Sequence, residues 1–443
     1  MTNVRKIAYT VLCRVLDEGA YSALALNAAV KENSLEKRDA SFLSALVYGV
    51  LERLLTLDEI IRQYSSVRLK KIEKKTLMAL RLGVYQLIFM DKVPDSAAVN
   101  ESVKLIKKLG LYQSSGFVNA VLRAIIRNDK QYKLPDEKDT VSYFRIKYSC
   151  PEEIVEMFLE TYGKENTERI LGDLSGRPPV TVRVNTLKTT KEALTSSLTE
   201  QGIEVEDISF LENSLHLYHT GSIECLREFE EGLFYVQDAA SQLACEILGA
   251  REGETLCDVC SAPGGKSFYS AIRMNNRGKI FSYDIYPHKT QLILGTASRL
   301  GIDIITAQVR DAAENGSDLP VCDRVLCDVP CSGLGILRRK PEIRYKKDTN
   351  IDFLPHLQYS ILCMSVNSLP TGGEVMYSTC TLNPKENREV VEKFLLQHPE
   401  FSPVPLTLPE GFERMFDEPS HMLTILPGFY NTDGFFIAKF RKG

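Results

Sequence analysis

From Gly232 to the carboxyl terminus, short apolar runs alternate with helical stretches. The runs are Thr255–Cys260, Lys279–Asp284, Ile302–Val309, Arg324–Val329 and Glu374–Cys380. Nearly continuous apolar runs suit strands buried on both faces. Strands separated by helices predict a parallel, doubly wound α/β sheet. In such sheets a ligand lies beyond the carboxyl ends of the strands. The residues that carry chemistry in this chain cluster at those ends.

The front of the chain follows a different rule. Leu43, Leu46, Val47, Val50, Leu51 and Leu54 repeat at helical spacing, as do Leu80, Val84, Leu87 and Ile88, and then Phe117, Val118, Val121, Leu122 and Ile125. Breaks fall at Ser65-Ser66, Val93-Pro94-Asp95 and Gly110. Strand alternation is missing, so residues 1–133 read as an all-α module. Residues 128–139 are polar and read as a linker. Residues 141–231 read as a small α+β module, with a strand at Val180–Val184, a helix over Thr190–Gln201 and short strands at Ile203–Ile208 and Leu215–His219. The α/β part is taken as 232–443.

Charge separates the front from the rest. The net charge is −4, yet Met1–Lys133 carries 22 Lys and Arg against 13 Asp and Glu. A basic front on an acidic back half suits a polyanionic partner. Arg68, Lys70, Lys71, Lys74 and Lys75 are the candidate phosphate contacts there, and Arg338, Arg339 and Lys340 form a second basic run. The 11 cysteines are irregularly spaced in a long chain without a secretory leader pattern, so reduced thiols in a cytoplasmic setting are expected. The stretch from Phe353 to Gly373 lacks charge but contains Pro355, His356, Gln358, Asn367 and Pro370, and reads as a soluble helix with its exit. No membrane contact is expected.

The first apolar run ends in Cys260-Ser261-Ala262-Pro263-Gly264-Gly265-Lys266. Two glycines there let backbone approach a ligand and leave helix N–H groups free. The spacing is neither that of a dinucleotide fingerprint nor that of a phosphate loop. Lys266 suits a ligand carboxylate. Asp284 ends the second run and suits ribose hydroxyls, and Asp311 follows the third and suits an adenine amino group. Each acid alone also reads as a helix cap. Together with Asp328, acids stand at three successive strand ends.

Two cysteines complete the edge, Cys331 in Asp328-Val329-Pro330-Cys331-Ser332-Gly333 and Cys380 in Ser378-Thr379-Cys380. A thiolate that adds to carbon 6 of cytosine makes carbon 5 nucleophilic toward a methyl sulfonium. A carboxylate near N3, here Asp328, assists the addition. A second thiol can help the first to leave. The chemistry does not choose which cysteine attacks. Cys257-x-x-Cys260 invites a metal or redox reading, but it lies in a strand and no metal is expected.

These motifs, with Arg183-Val184-Asn185, Val236-Gln237-Asp238 and Tyr283-Asp284, resemble the RsmB/Sun group of bacterial 16S ribosomal RNA cytosine-C5 methyltransferases. Arg38-Asp39, Leu46-Val47-Tyr48-Gly49-Val50 and Val93-Pro94 are similar to the NusB-like domain of that group. The resemblance covers nearly the whole chain. It implies a NusB-like helical domain, an RRM-like middle module and a Rossmann-like class I methyltransferase domain. It implies S-adenosylmethionine as methyl donor and 16S ribosomal RNA as partner; the sequence leaves the oligomeric state open, with a monomer expected. It implies that Cys380 attacks and Cys331 assists release, and that residues 260–266, Asp284, Asp311 and Asp328 contact the cofactor. Val329 stands where alanine is usual in the group, and Ser261 where alanine is frequent; both residues are small. Two other readings remain: a transfer RNA cytosine-C5 methyltransferase, and a non-catalytic RNA-binding or antitermination factor on the same scaffold, which has no use for an intact pair of strand-end thiols.

Overall fold

A computed structural model describes residues 3–314, 319–346 and 352–443. The chain divides into two compact units, one of Met1–Gly176 with Leu337–Asp348, the other of Arg177–Ile336 with Thr349–Gly443.

Among its described residues the first unit is helical, with seven α-helices between Val4 and Arg127, then Thr140–Lys147 and Glu152–Gly172. The apolar stripes lie inside: Leu43, Leu46, Val47, Val50, Leu51, Leu80, Val84, Val118, Leu122 and Ile125 are all 0% exposed. The expected breaks separate these helices. No single helix among the described residues is long and apolar enough to cross a membrane.

This unit takes in a piece of chain from far downstream. The helix Ser22–Glu32 has no side-chain cap of its own. Glu342 supplies one, accepting from Ser22 N at 3.1 Å and Ser22 Oγ at 2.8 Å. The buried Arg344 donates to the carbonyls of Glu52, Tyr148 and Ser149 through Nη1 and to that of Leu174 through Nη2. Arg338, part of the basic run after the Pro-Cys motif, pairs with Asp173 at 3.2 Å. Lys340 lies 5.4 Å from the centre of the Tyr21 ring.

Among its described residues the second unit holds two sheets. In the smaller, strands β1 (Val180–Val184), β2 (Glu204–Asp207), β3 (Ser214–Tyr218) and β4 (Phe234–Val236) run antiparallel in the order β2-β3-β1-β4. Thr190 caps the helix Lys191–Glu200 beside them.

The larger sheet contains β5 (Thr255–Asp258), β6 (Lys279–Asp284), β7 (Ile305–Val309), β8 (Arg324–Asp328), β9 (Glu374–Thr379), β10 (Phe401–Pro403), β11 (Met422–Ile425) and β12 (Phe435–Lys442). Its order is β10-β12-β9-β8-β5-β6-β7, with β11 on β12. The five strands expected from the sequence are mutually parallel. The sheet as a whole is mixed, because β12 joins β9 antiparallel and carries β10 and β11. Alternate strand residues face opposite layers. Leu256, Leu326 and Met376 meet the helices Ala239–Leu248, Gly265–Arg273 and Pro287–Leu300, while Cys257, Val325, Cys327, Val375 and Tyr377 meet Leu354–Ser365 and Arg388–Gln397. The order reverses at β5, with β6 on one side and β8 on the other. A crevice for a ligand belongs at the carboxyl ends of these strands.

Candidate active site

The turn after β5 is held from below. Ser267 Oγ donates to Asp258 Oδ2 at 2.7 Å and lies 3.0 Å from Ser261 Oγ and 2.8 Å from Ser282 Oγ. Ser261 N bonds Tyr283 O at 2.8 Å, which ties the turn to the end of β6. Gly264 sits at φ +103°, where a Cβ would lie 2.4 Å from the Phe268 ring, so only glycine fits. Asp258 is 1% exposed and its Oδ1 has no partner among the described residues. Burial pushes its pKa up to about 6, against the hydrogen bond from Ser267. A raised carboxyl pKa favours the fold while the group is protonated. This contribution is therefore lost as pH rises from about 4 through 6, costing roughly 2–3 kcal/mol. Denaturant titrations of the wild type and Asp258→Asn across pH 4–7.5 are expected to show that pH dependence flattened in the variant. Parallel curves would contradict the assignment.

Asp284, 7% exposed, accepts from Tyr286 N at 3.0 Å and from Lys289 Nζ at 3.4 Å. Asp311 stands exposed just past β7 and accepts from Ala313 N at 2.9 Å, and its neighbour Arg310 donates its backbone N–H to Asp284 O. Lys266 meets a protein carboxylate: its Nζ lies 2.6 Å from Asp328 Oδ2. Burial alone would lower the Lys266 pKa, but the groups around it, Asp328 foremost, together outweigh burial and the pKa is raised. Asp328 Oδ1 accepts from Ser378 Oγ at 2.8 Å, linking β8 to β9.

The two cysteines meet beyond these strands, with Sγ atoms 3.1 Å apart. The hydrogen bond with Cys380, and burial after it, push the Cys331 thiol well above its ordinary range. Cys331 therefore keeps its proton at neutral pH. The loops that carry them are stitched together. Gly335 N donates to Cys380 O at 3.0 Å and Gly434 N to Gly335 O at 2.8 Å. A Cβ on Gly335 would lie 2.1 Å from Gly434 O, so this crossing requires glycine. Glu386, fully buried, touches both loops.

The structure thus brings the 260–266 turn, Asp284, Asp328, Cys331 and Cys380 to the carboxyl ends of one parallel sheet: Lys266 meets Asp328, Cys331 meets Cys380, and Ser261 bonds the residue before Asp284. Asp311 adjoins it through backbone. Sequence reasoning missed Asp258, Ser267, Ser378 and Glu386. The Asn383-Pro384-Lys385-Glu386-Asn387 run directly after the Thr-Cys motif was the available signal for the last. The paired strand cysteines Cys257 and Cys327 are 0% exposed apolar packing. Among the described residues no group of three His, Cys, Asp or Glu is arranged to hold a metal.

Comparison with known proteins sets the class: residues 245–441 match the family described as 16S rRNA methyltransferase RsmB/F, and the large sheet is that of a Rossmann-like methyltransferase. Residues 2–127 match the NusB family and residues 150–224 the ferredoxin-like domain of RsmF/B-like methyltransferases. The chain is 36% identical to the "Probable ribosomal RNA small subunit methyltransferase B" of Bacillus subtilis, covering 100% of this chain and 99% of that one, and 37% identical to the protein of the same name from Synechocystis, covering 100% of both. The chain belongs to the ribosomal RNA small subunit methyltransferase B family. The solved structure described as "Crystal Structure of PH0851" superposes with a TM-score of 0.82 at 26% identity, covering 100% of this chain and 99% of that one.

Proposed function

We propose that the protein transfers a methyl group from S-adenosylmethionine to carbon 5 of one cytosine in 16S ribosomal RNA, through a covalent bond between Cys380 and carbon 6. The contact between the Cys331 and Cys380 sulfurs, at the edge that also carries Asp328, supports this reading. Methyl transfer to an atom that is already nucleophilic has no need of two thiols. Activating a pyrimidine carbon and then releasing it has a use for both.

The chain's own groups fit the methyl donor. Asp284 is largely buried, yet its oxygens retain acceptor capacity for hydroxyl groups. The Gly264-Gly265 turn leaves the start of a helix open to backbone approach. Bound there, S-adenosylmethionine supplies an electrophilic methyl on sulfur.

Cys380, as thiolate, adds to carbon 6 of a cytosine drawn out of its stack. Asp328 is held by Lys266 and Ser378, and each of its oxygens still has a lone pair to accept from the N4 amino group of the base. Carbon 5 takes the methyl group and gives up its proton to water. The carbon–sulfur electron pair then returns to Cys380, and Cys331 donates its S–H toward that departing sulfur. The basic helical unit supplies RNA affinity that falls with salt.

Bisulfite mapping of small-subunit ribosomal RNA from cells with and without the gene is the direct test. One protected cytosine is expected to disappear with the gene. An unchanged 16S pattern with a loss in transfer RNA would sink the ribosomal assignment.

A further inference from the structure

The densest set of polar contacts at the catalytic edge centres on a carboxylate with no role so far. Glu386 follows Cys380 by six residues, in the 3₁₀ turn Pro384–Glu386, and is 0% exposed. A buried carboxylate is costly unless its oxygens are paired. Oε2 accepts from Ser332 N at 2.8 Å and Gln358 Nε2 at 2.9 Å. Oε1 accepts from Ser332 Oγ at 2.5 Å and Asn383 Nδ2 at 2.9 Å. Gln358 Nε2 also reaches Pro330 O at 2.9 Å. Ser332 Oγ lies 2.7 Å from Thr381 Oγ1. One carboxylate thus grips the residue after Cys331, reaches the residue before it through Gln358, and grips the segment that follows Cys380.

Four charge-assisted hydrogen bonds on one group are more than a turn of this length requires, since Asn383 already caps it. We propose that Glu386 is a positioning residue that fixes the separation of the Cys331 and Cys380 sulfurs, and that this separation controls release of RNA from Cys380. The second half rests on the covalent reading above; the first half does not. A misplacement of about 1 Å at reacting atoms costs roughly a hundred-fold in rate. Glu386→Gln keeps the shape but turns an amide N–H2 toward N–H and O–H donors.

Full-length wild type, Glu386→Gln and Glu386→Asp are compared in two assays. The first uses no RNA. Copper–phenanthroline with dioxygen joins the two thiols as a disulfide, each thiol losing a proton and giving one electron to the oxidant, and peptide mass reports the rate. Glu386→Gln is expected to be about ten-fold slower, with Glu386→Asp between it and the wild type. The second follows covalent RNA on denaturing gels, using a small-subunit RNA transcript and S-adenosylmethionine. Glu386→Gln is expected to form the adduct at close to the wild-type rate but release it about a hundred-fold more slowly. Wild-type oxidation in Glu386→Gln overturns the proposal, whatever happens to release. Slowed oxidation with wild-type release overturns its second half. Slowed oxidation with no adduct in any variant, Cys331→Ala included, sinks the covalent reading and leaves the positioning role standing. If Glu386→Gln does not fold, Ser332→Ala removes one of the donors and is measured in both assays.

Discussion

Cys380→Ala is expected to lower methyl transfer to ribosomal RNA by a factor of about 10⁴ or more while leaving S-adenosylmethionine affinity within about two-fold, because loss of a nucleophile removes the whole chemical route. The structure separates the two functions. The cofactor turn is held by hydrogen bonds among Asp258, Ser261, Ser267 and Ser282, and none of these bonds involves Cys380. Cys380 directly follows β9, which lies between β8 and β12. A smaller side chain there leaves both neighbouring strands in register. Filter-bound tritium from labelled S-adenosylmethionine measures the first quantity and calorimetry the second. Substantial residual activity would mean that carbon 5 is not activated by this sulfur.

Cys331→Ala is expected to have the opposite signature. The attacking thiol remains, so the RNA still becomes attached, but the S–H group 3.1 Å from its sulfur is gone. Protein–RNA adduct should accumulate as a band that survives denaturation and disappears in the Cys331→Ala/Cys380→Ala double variant. Turnover should fall by about 10²–10³, the range for removing one positioned hydrogen-bond donor. The adduct should also carry the transferred methyl label, since the block lies after methyl transfer. An adduct without label would place the block earlier and remove Cys331 from release.

The parallel core of the large sheet was legible because five apolar runs are bounded by Gly, Asp and Pro at strand ends, where the period changes. β10, β11 and β12 were not. Phe401–Pro403 and Met422–Ile425 are too short to establish a period, and Phe435–Lys442 is separated from its partner β9 by more than fifty residues. Strand order put Asp284, Asp328, Cys331 and Cys380 on one edge, but not the sulfur contact, which depends on how two loops close. The choice of Cys380 as attacker came from family resemblance, not from spacing. Glu386 was hidden for a different reason. An acid after Asn-Pro-Lys looks like a solvated helix start, and only the fold reveals that every donor around it points inward. Arg344 was hidden in the same way, since a guanidinium buried under backbone carbonyls has the sequence appearance of surface charge.

The loan of Leu337–Asp348 to the helical unit has a consequence for biosynthesis. The carboxylate that caps Ser22 lies 320 residues further along the chain. At ribosomal speeds of about 5–20 residues per second, it emerges roughly 16–60 seconds after the helix it caps. The amino-terminal helices thus leave the exit tunnel long before their last partner exists. Their final locking must wait until the strand that delivers Cys331 has been translated.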